Sequence, residues 1–148
     1  MATRSNIGIV NEDGSITGIY VHFDGYPEYV GKILLNHYNN DDIVNDLMNL
    51  GDLSILSENV NPTGPHSFNN PQKGVCISYG RDRGDTGSDS RTFEDLGEYE
   101  HFGSGVDYQY LYDNGKWSYR STYKGGWSDL TSEICGGQIF DPRDLICG

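Results

Sequence analysis

The segment from residue 79 to residue 87, Tyr-Gly-Arg-Asp-Arg-Gly-Asp-Thr-Gly, carries the residue types best suited to hold an anion. It concentrates two of the chain's ten basic residues between glycines. Arginine side chains and backbone N–H groups exposed by glycine can together bind a phosphate. We therefore predict a ligand site formed by Arg81, Asp82, Arg83 and Thr86. The glycine spacing fits neither the P-loop nor the dinucleotide fingerprint. In the alternative interpretation, the arginines pair with nearby aspartates and fix a long loop.

The second candidate is the segment 22–27, where a predicted strand leads into a predicted helix. His22 and Asp24 would share one strand face if the strand extends that far. Such a pair can act as a general base and its orienting group, as a small hydrolase would need. More often it caps the following helix and anchors the turn. We assign no catalytic residue, and count His22, Asp24 and Tyr26 as ligand-binding candidates, with Tyr26 able to stack on a base.

Tyrosines at 108, 110 and 112 alternate along a predicted strand and share one face, with Trp117 and Tyr119 across a turn. They can stack on a base, or they can form a half-buried aromatic face that stabilises the hairpin. RNA-binding surfaces surround their aromatic residues with basic ones. The segment 93–113 has six acidic residues and no Lys or Arg, which argues against RNA.

The four histidines and three cysteines show no metal-binding spacing, so we predict no metal and no cofactor. The odd number of cysteines, together with the lack of an N-terminal apolar segment, argues against secretion and a disulfide framework. No apolar run is long enough to span a membrane. We expect a cytoplasmic protein.

The charge balance, 22 acidic against 10 basic residues, gives a net charge of −12. A field of that sign repels phosphate backbones and disfavours nucleic-acid binding. It suits a basic protein partner, or it simply keeps a small protein in solution. The acidic stretch 93–113 suggests a protein-binding inhibitor that imitates nucleic acid.

At 148 residues the chain has the size of one domain. Strand-like runs at 6–10 and 15–23 flank an Asp-Gly turn and predict an N-terminal hairpin. Two short helices follow. The first begins at Pro27, and the second is capped by Asn40 or Asp41 and stops at Gly51.

The C-terminal half is predicted to be mainly strands and loops. Residues 57–73 read as a surface loop, 75–79 as a short strand and 80–91 as a second loop. Thr92 would cap a short helix near 93–101. Strands 107–112 and 116–123 flank Asp-Asn-Gly, which predicts a C-terminal hairpin. The expected fold is therefore a single α+β domain, residues 1–148, with a mainly antiparallel sheet.

Several motifs occur in order: Met-Ala-Thr-Arg-Ser at 1–5, Ile-Gly-Ile at 7–9, His-Phe-Asp-Gly-Tyr-Pro at 22–27, Gly-Asp-Leu-Ser at 51–54, and the segment 79–87. The set resembles a family of small tailed-bacteriophage and prophage proteins over residues 1 to about 120. Phe23 stands where that pattern has Trp. Residues 125–148 are particular to this chain. The resemblance implies a phage accessory protein acting in the host cytoplasm, where such proteins often disarm host defences by binding.

The sequence thus predicts a non-enzymatic binding protein that sequesters a small anionic ligand such as a nucleotide signal. The alternatives are an acidic inhibitor of a host defence enzyme, and a small hydrolase that uses His22 and Asp24. A site shared between the subunits of a homo-oligomer would suit a small domain with exposed aromatic residues.

Overall fold

The computed structural model describes residues 2–135, which form an eight-stranded mixed sheet and five helices. The strands are β1 Ser5–Val10, β2 Ile16–Val21, β3 Leu53–Ile55, β4 Ile77–Ser78, β5 Arg91–Phe93, β6 Tyr108–Asp113, β7 Lys116–Ser121 and β8 Ser128–Asp129. The helices are α1 Lys32–His37, α2 Asp41–Leu50, α3 Tyr79–Arg83, α4 Leu96–Phe102 and α5 Leu130–Cys135, with a π turn at Pro27–Gly31 and a 3₁₀ turn at Gly103–Gly105.

The strand order is β4-β3-β2-β1-β6-β7-β8, and β5 also pairs with β2. The β1–β6 and β2–β3 pairings are parallel and the others are antiparallel. The predicted α+β fold is confirmed. It begins with a hairpin, continues with two short helices, and includes a second hairpin in a mainly antiparallel sheet.

The local signals explain why these elements begin and end where they do. Pro27 occupies the first position of the π turn that leads into α1. The side chain of Asn40 accepts a hydrogen bond from the backbone N–H of Ile43 and so caps α2, and Gly51 ends that helix at a φ of 84°. Asn114 and Gly115 both have positive φ, which matches the turn that favours a two-residue hairpin.

One face of the sheet packs against α1, α2 and α5. Its core is aliphatic in the middle strands, with Ile7 and Ile19 fully buried against Leu34 and Leu47. The predicted tyrosine face lies in this core, because Tyr110 and Tyr112 are buried and Trp117 donates from its indole N–H to the carbonyl of Tyr38. The aromatic stripe is therefore structural at these positions.

The other face packs against α4 through aromatic rings. Side chains alternate along a strand, so Gly8 and Gly18 lie on the other face of the sheet from Ile7 and Ile19. The ring of Tyr99 lies directly on these glycines, where a Cβ atom would stand only 2.9 Å from it. Phe93, Phe102 and Trp127 surround Tyr99. Because the two glycines have no side chain, they leave room for the Tyr99 ring to pack against the sheet.

Three local predictions were wrong in detail. Residues 80–91 are not loop throughout, since Ser78 caps the short helix α3. Thr92 lies in strand β5, and Asp95 caps α4 by accepting from the N–H of Glu98. The strand predicted at 75–79 shortens to Ile77–Ser78, with Val75 in an isolated bridge to Asn59.

Cys76 is buried and has a free thiol. Cys147 lies outside the described residues, as do positions 136–148 of the segment 125–148 that was predicted to be particular to this chain. Over residues 2–135, no helix has the length and apolar character that a membrane crossing needs.

Candidate functional site

Arg81 is engaged inside the protein. Its Nη1 donates to the carbonyl oxygen of Val60 at 2.6 Å and its Nη2 donates to that of Cys76 at 2.9 Å. Its Nε donates to the carboxylate of Asp82 at 2.8 Å. A guanidinium has five N–H donors, and these contacts occupy most of them. Arg81 therefore joins three parts of the chain.

Asp82 accepts several hydrogen bonds and its side chain is only 4% exposed. Nε2 of His66 lies 3.0 Å from its carboxylate, and the backbone N–H of Ser78 donates to it at 2.8 Å. Burial acts to raise the pKa of Asp82, but the hydrogen bonds from Arg81, Ser78 and His66 outweigh it and lower the pKa to about 2. Because Nδ1 of His66 accepts from the backbone N–H of Gln72, the neutral Nε2–H tautomer satisfies both contacts.

Arg83 lies on the surface but is also engaged. Its guanidinium forms a 2.6 Å ion pair with Asp85 and lies over the rings of Phe68 and Tyr79, 4.8 Å and 4.6 Å from their centroids. Thr86 is exposed beyond this pair. Arg81 and Arg83 thus pair with aspartates, and Arg81 also ties the chain at Val60 to the chain at Cys76. This is the alternative, structural role considered from the sequence.

The residues of the second candidate segment do not converge with the first. Strand β2 ends at Val21, and Asp24 has a left-handed φ of 57°, so His22 and Asp24 do not share a strand face. Nδ1 of His22 instead pairs with the hydroxyl of Tyr20 at 2.7 Å. The turn before α1 has no side-chain cap, and Tyr26, at its cap position, is 36% exposed. Neither the base-and-orienter pair nor the capping pair forms.

A large groove lies elsewhere, and none of the seven predicted residues lines it. It has a volume of about 1020 Å³ and lies where the N-terminal segment, the end of α4 and the hairpin β6–β7 meet. We call it the strand-end groove. Its main lining side chains are Arg4, Glu100, His101, Asp107, Tyr108, Arg120, Thr122 and Tyr123. Its size falls in the range of small-molecule sites.

Arg120 is the most firmly held cation in this groove. Its Nε donates to Oε1 of Gln109 at 2.8 Å, and its Nη2 donates to the backbone carbonyl of Glu100 at 3.2 Å. Gln109 is fully buried, and its amide donates to Asn6 and to the carbonyl of Tyr99. The guanidinium is thus oriented by a buried polar network, while its Nη1 makes no hydrogen bond to the described chain.

Arg4 and Arg120 share an unusual electrostatic state. The other three arginines of residues 2–135 pair with aspartates: Arg81 with Asp82, Arg83 with Asp85 and Arg91 with Asp52. Neither Arg4 nor Arg120 has a carboxylate partner within that part of the chain. An arginine without a carboxylate partner can pair with an external anion through its guanidinium donors.

Two carboxylates also face the strand-end groove, and each already holds neutral donors. Asp107 accepts from the hydroxyl of Tyr123 at 2.9 Å and from the backbone N–H of Arg4 at 3.1 Å. Glu100 accepts from the indole N–H of Trp127 at 2.7 Å. The groove therefore offers two cationic forks beside two acceptors of hydrogen bonds.

The sequence did contain a signal for Arg120. The Asp-Asn-Gly turn fixes the register of the second hairpin, and this register pairs Gln109 with Arg120 on the face opposite the tyrosines. Arg4 gave no such signal, because its partners in the groove are distant in the chain, and Asp107, for example, is 103 positions away.

Within the described residues, no three His, Cys, Asp or Glu side chains lie close enough together to hold a metal ion. Comparison with known proteins adds no further assignment: no protein-family model, curated protein or solved structure matches this chain. The resemblance to phage proteins thus remains a prediction, and the site rests on the geometry of Arg4 and Arg120.

Proposed function

We propose that this protein is a non-enzymatic binding protein that sequesters a small anionic ligand of the nucleotide type in the strand-end groove. The observation that carries the proposal is that the strand-end groove contains two arginines, Arg4 and Arg120, with no carboxylate partner within residues 2–135. This moves the predicted anion site from the segment of Arg81 and Arg83 to the groove of Arg4 and Arg120.

The mixed lining favours a nucleotide over a bare anion. Arg4 and Arg120 would hold the phosphate, while Glu100 and Asp107 would accept from ribose hydroxyls or a base amino group. Tyr123, whose side chain is 83% exposed, offers a ring face for stacking on the base. In the phage setting implied by the sequence motifs, sequestration of a nucleotide signal would be a counter-defence activity.

Isothermal titration calorimetry of the full chain against cyclic and linear nucleotides tests the proposal. Arg4→Gln is the sharpest variant, because within residues 2–135 only the backbone of Arg4 takes part in hydrogen bonds. A hydrogen bond to a charged group contributes about 1.5–3 kcal/mol, so Arg4→Gln should weaken binding by about tenfold or more.

Arg83→Gln is the matched control, since it removes the same charge from the loop predicted from the sequence. It should leave the affinity unchanged. If Arg83→Gln abolished binding and Arg4→Gln did not, the site would lie at that loop. If no nucleotide gave heat in calorimetry and none bound in equilibrium dialysis, the proposed function would be wrong.

A further inference from the structure

A second surface, which shares only His101 with the strand-end groove, lies on the outer side of α4. It is an open groove of about 640 Å³ floored by Phe93 and Phe102, whose ring centroids are 4.9 Å apart. Both rings are half-buried, and the neighbouring Leu96 is 40% exposed. We call it the aromatic groove. It combines apolar contact area with access from solvent, which is unusual for a protein of this hydropathy.

The rim of the aromatic groove is acidic. Asp95 and Glu98 line it, and the exposed Glu94 lies between Phe93 and Asp95. The basic residues beside it are His101 and Arg91, and Arg91 is bound through both terminal nitrogens to Asp52, at 2.9 Å and 3.0 Å. The charge available to a partner is therefore negative, in agreement with the net charge of −12 for the whole chain.

We propose that the aromatic groove is a docking site for a basic segment of a partner protein. That segment would place an aromatic or aliphatic side chain on the floor formed by Phe93 and Phe102, and Lys or Arg side chains against Glu94 and Glu98. Charge complementarity selects this occupant, because an acidic or neutral segment would gain nothing from the rim. Interfaces of this kind bind through a buried apolar anchor, with the charges setting orientation and association rate.

The structure explains why the groove is firm enough to serve as a binding surface. Tyr99, fully buried beneath the groove, donates from its hydroxyl to the carbonyl of Tyr110 at 2.7 Å and so fixes α4 to the sheet. The packing of the Tyr99 ring on Gly8 and Gly18 sets how closely α4 approaches the sheet. The floor is thus preorganised, which reduces the entropy lost on binding.

Peptide titrations monitored by ¹⁵N–¹H NMR test the proposal. The probes are three capped hexapeptides: Lys-Lys-Leu-Phe-Lys-Lys, Lys-Lys-Gly-Gly-Lys-Lys without the anchor, and Glu-Glu-Leu-Phe-Glu-Glu with reversed charge. The first peptide should bind and shift the amide signals of Thr92, Phe93, Gly97 and Phe102. The other two should bind at least tenfold more weakly.

Two variants make the test specific to this surface. Gly97→Gln fills the groove, and a Cβ atom there meets only the Asp95 carboxylate, at 3.4 Å, so the fold should tolerate it. Glu94→Lys reverses a rim charge whose side chain makes no hydrogen bond to the described chain, and should weaken binding about two- to fivefold at low salt. Asp46→Lys, an exposed site on α2 across the sheet, is the control and should not change the affinity.

Several outcomes would overturn the proposal. Equal binding of the glycine peptide would show charge attraction alone, and equal binding of the acidic peptide would show apolar contact alone. Shifts that map to other residues, or no binding by any probe at millimolar concentration, would exclude the site. Shifts in the same amides that depend on protein concentration without peptide would instead assign the groove to a second copy of the chain.

Discussion

Gln109 and Arg120 face each other across strands β6 and β7 and are joined by a 2.8 Å hydrogen bond from Nε of the arginine to Oε1 of the amide. The amide nitrogen of Gln109 donates in turn to Oδ1 of Asn6 and to the carbonyl oxygen of Tyr99. A buried network thus runs from the second face of the sheet to the strand-end groove. It links the stability of the fold to the orientation of a proposed ligand-binding arginine.

Replacement of Gln109 by Met should lower both stability and affinity. The change keeps the side-chain volume similar but leaves Asn6, the carbonyl of Tyr99 and Nε of Arg120 without this partner. Buried polar groups left unsatisfied cost about 1–3 kcal/mol, so urea unfolding should show a loss of that size. Calorimetry should show weaker nucleotide binding, because the guanidinium loses its fixed orientation.

Leu111→Met is the matched control for Gln109→Met, since Leu111 lies on the same face of the same strand. It should change stability by less than about 1.5 kcal/mol and leave affinity intact. A Gln109→Met protein with wild-type stability would show that the network is not coupled to the fold. A destabilised variant with unchanged affinity would separate Gln109 from the proposed site.

The contact of Tyr99 with Gly8 and Gly18 predicts that neither glycine tolerates even alanine, the smallest replacement. A Cβ atom added at Gly8 or at Gly18 would come within 2.9 Å of the Tyr99 ring. Gly8→Ala or Gly18→Ala should each cost about 1–3 kcal/mol through overpacking. Gly105→Ala is the control, because nothing lies within 4 Å of a Cβ atom there. Thermal unfolding should give lower melting temperatures for Gly8→Ala and Gly18→Ala than for Gly105→Ala. Equal melting temperatures would contradict the role given to the contact with Tyr99.

The parts of the fold that could be predicted from the sequence are those set by neighbouring residues. Asn40, Gly51 and the Asn-Gly turn at 114–115 act on backbone groups within a few positions, so their effects can be inferred from local patterns. The helix α4 was placed imprecisely because Thr92 and Asp95 are both good caps. Only the pairing of β5 with β2 decides between them.

The contacts that could not be predicted join distant parts of the chain. The parallel pairing of β1 with β6 places Ser5 beside Tyr108. Arg81 looked like a ligand-binding residue because its immediate neighbours are glycines and aspartates. Its decisive partners, the carbonyls of Val60 and Cys76, are acceptors that every backbone provides and no sequence pattern marks.

The pairing of Asp52 with Arg91 predicts an asymmetric response to mutation. Asp52 accepts both hydrogen bonds from the guanidinium, and its Oδ1 also accepts from the backbone N–H of Tyr20 at 2.9 Å. Asp52→Ala removes all three hydrogen bonds and leaves the backbone N–H of Tyr20 without its acceptor, whereas Arg91→Ala leaves the bond from Tyr20 in place. Asp52→Ala should therefore destabilise by about 2–3 kcal/mol, and Arg91→Ala by about 1 kcal/mol less.

Urea unfolding of the two single variants and the double variant measures this asymmetry. The double variant should resemble Asp52→Ala, because the arginine contributes little without its partner. Equal costs for the two single variants would show that the bond to Tyr20 contributes nothing. Fully additive costs would show that the two side chains do not interact.

The network around Asp82 predicts an acid-sensitive component of stability. The folded protein holds the pKa of Asp82 at about 2, below its ordinary value of 3.8. The folded state therefore binds this proton less readily than the unfolded chain. The stabilisation is present above about pH 4 and is lost as the pH falls toward 2. A lowering of that size corresponds to about 2 kcal/mol, since one pKa unit is about 1.4 kcal/mol.

Because many carboxylates titrate in the same range, the test compares wild type with Asp82→Asn at each pH. At pH 7 the variant should be less stable by about 2 kcal/mol, and this difference should shrink as the pH falls from 4 to 2. Asp89→Asn, at an exposed aspartate between α3 and β5, is the control and should not reproduce this pH-dependent difference. A deficit for Asp82→Asn that is the same at pH 7 and pH 2.5 would show that the Asp82 carboxylate stabilises the fold independently of its charge. The contacts from Arg81 and His66 would then stabilise the fold through packing and not through the charge of Asp82.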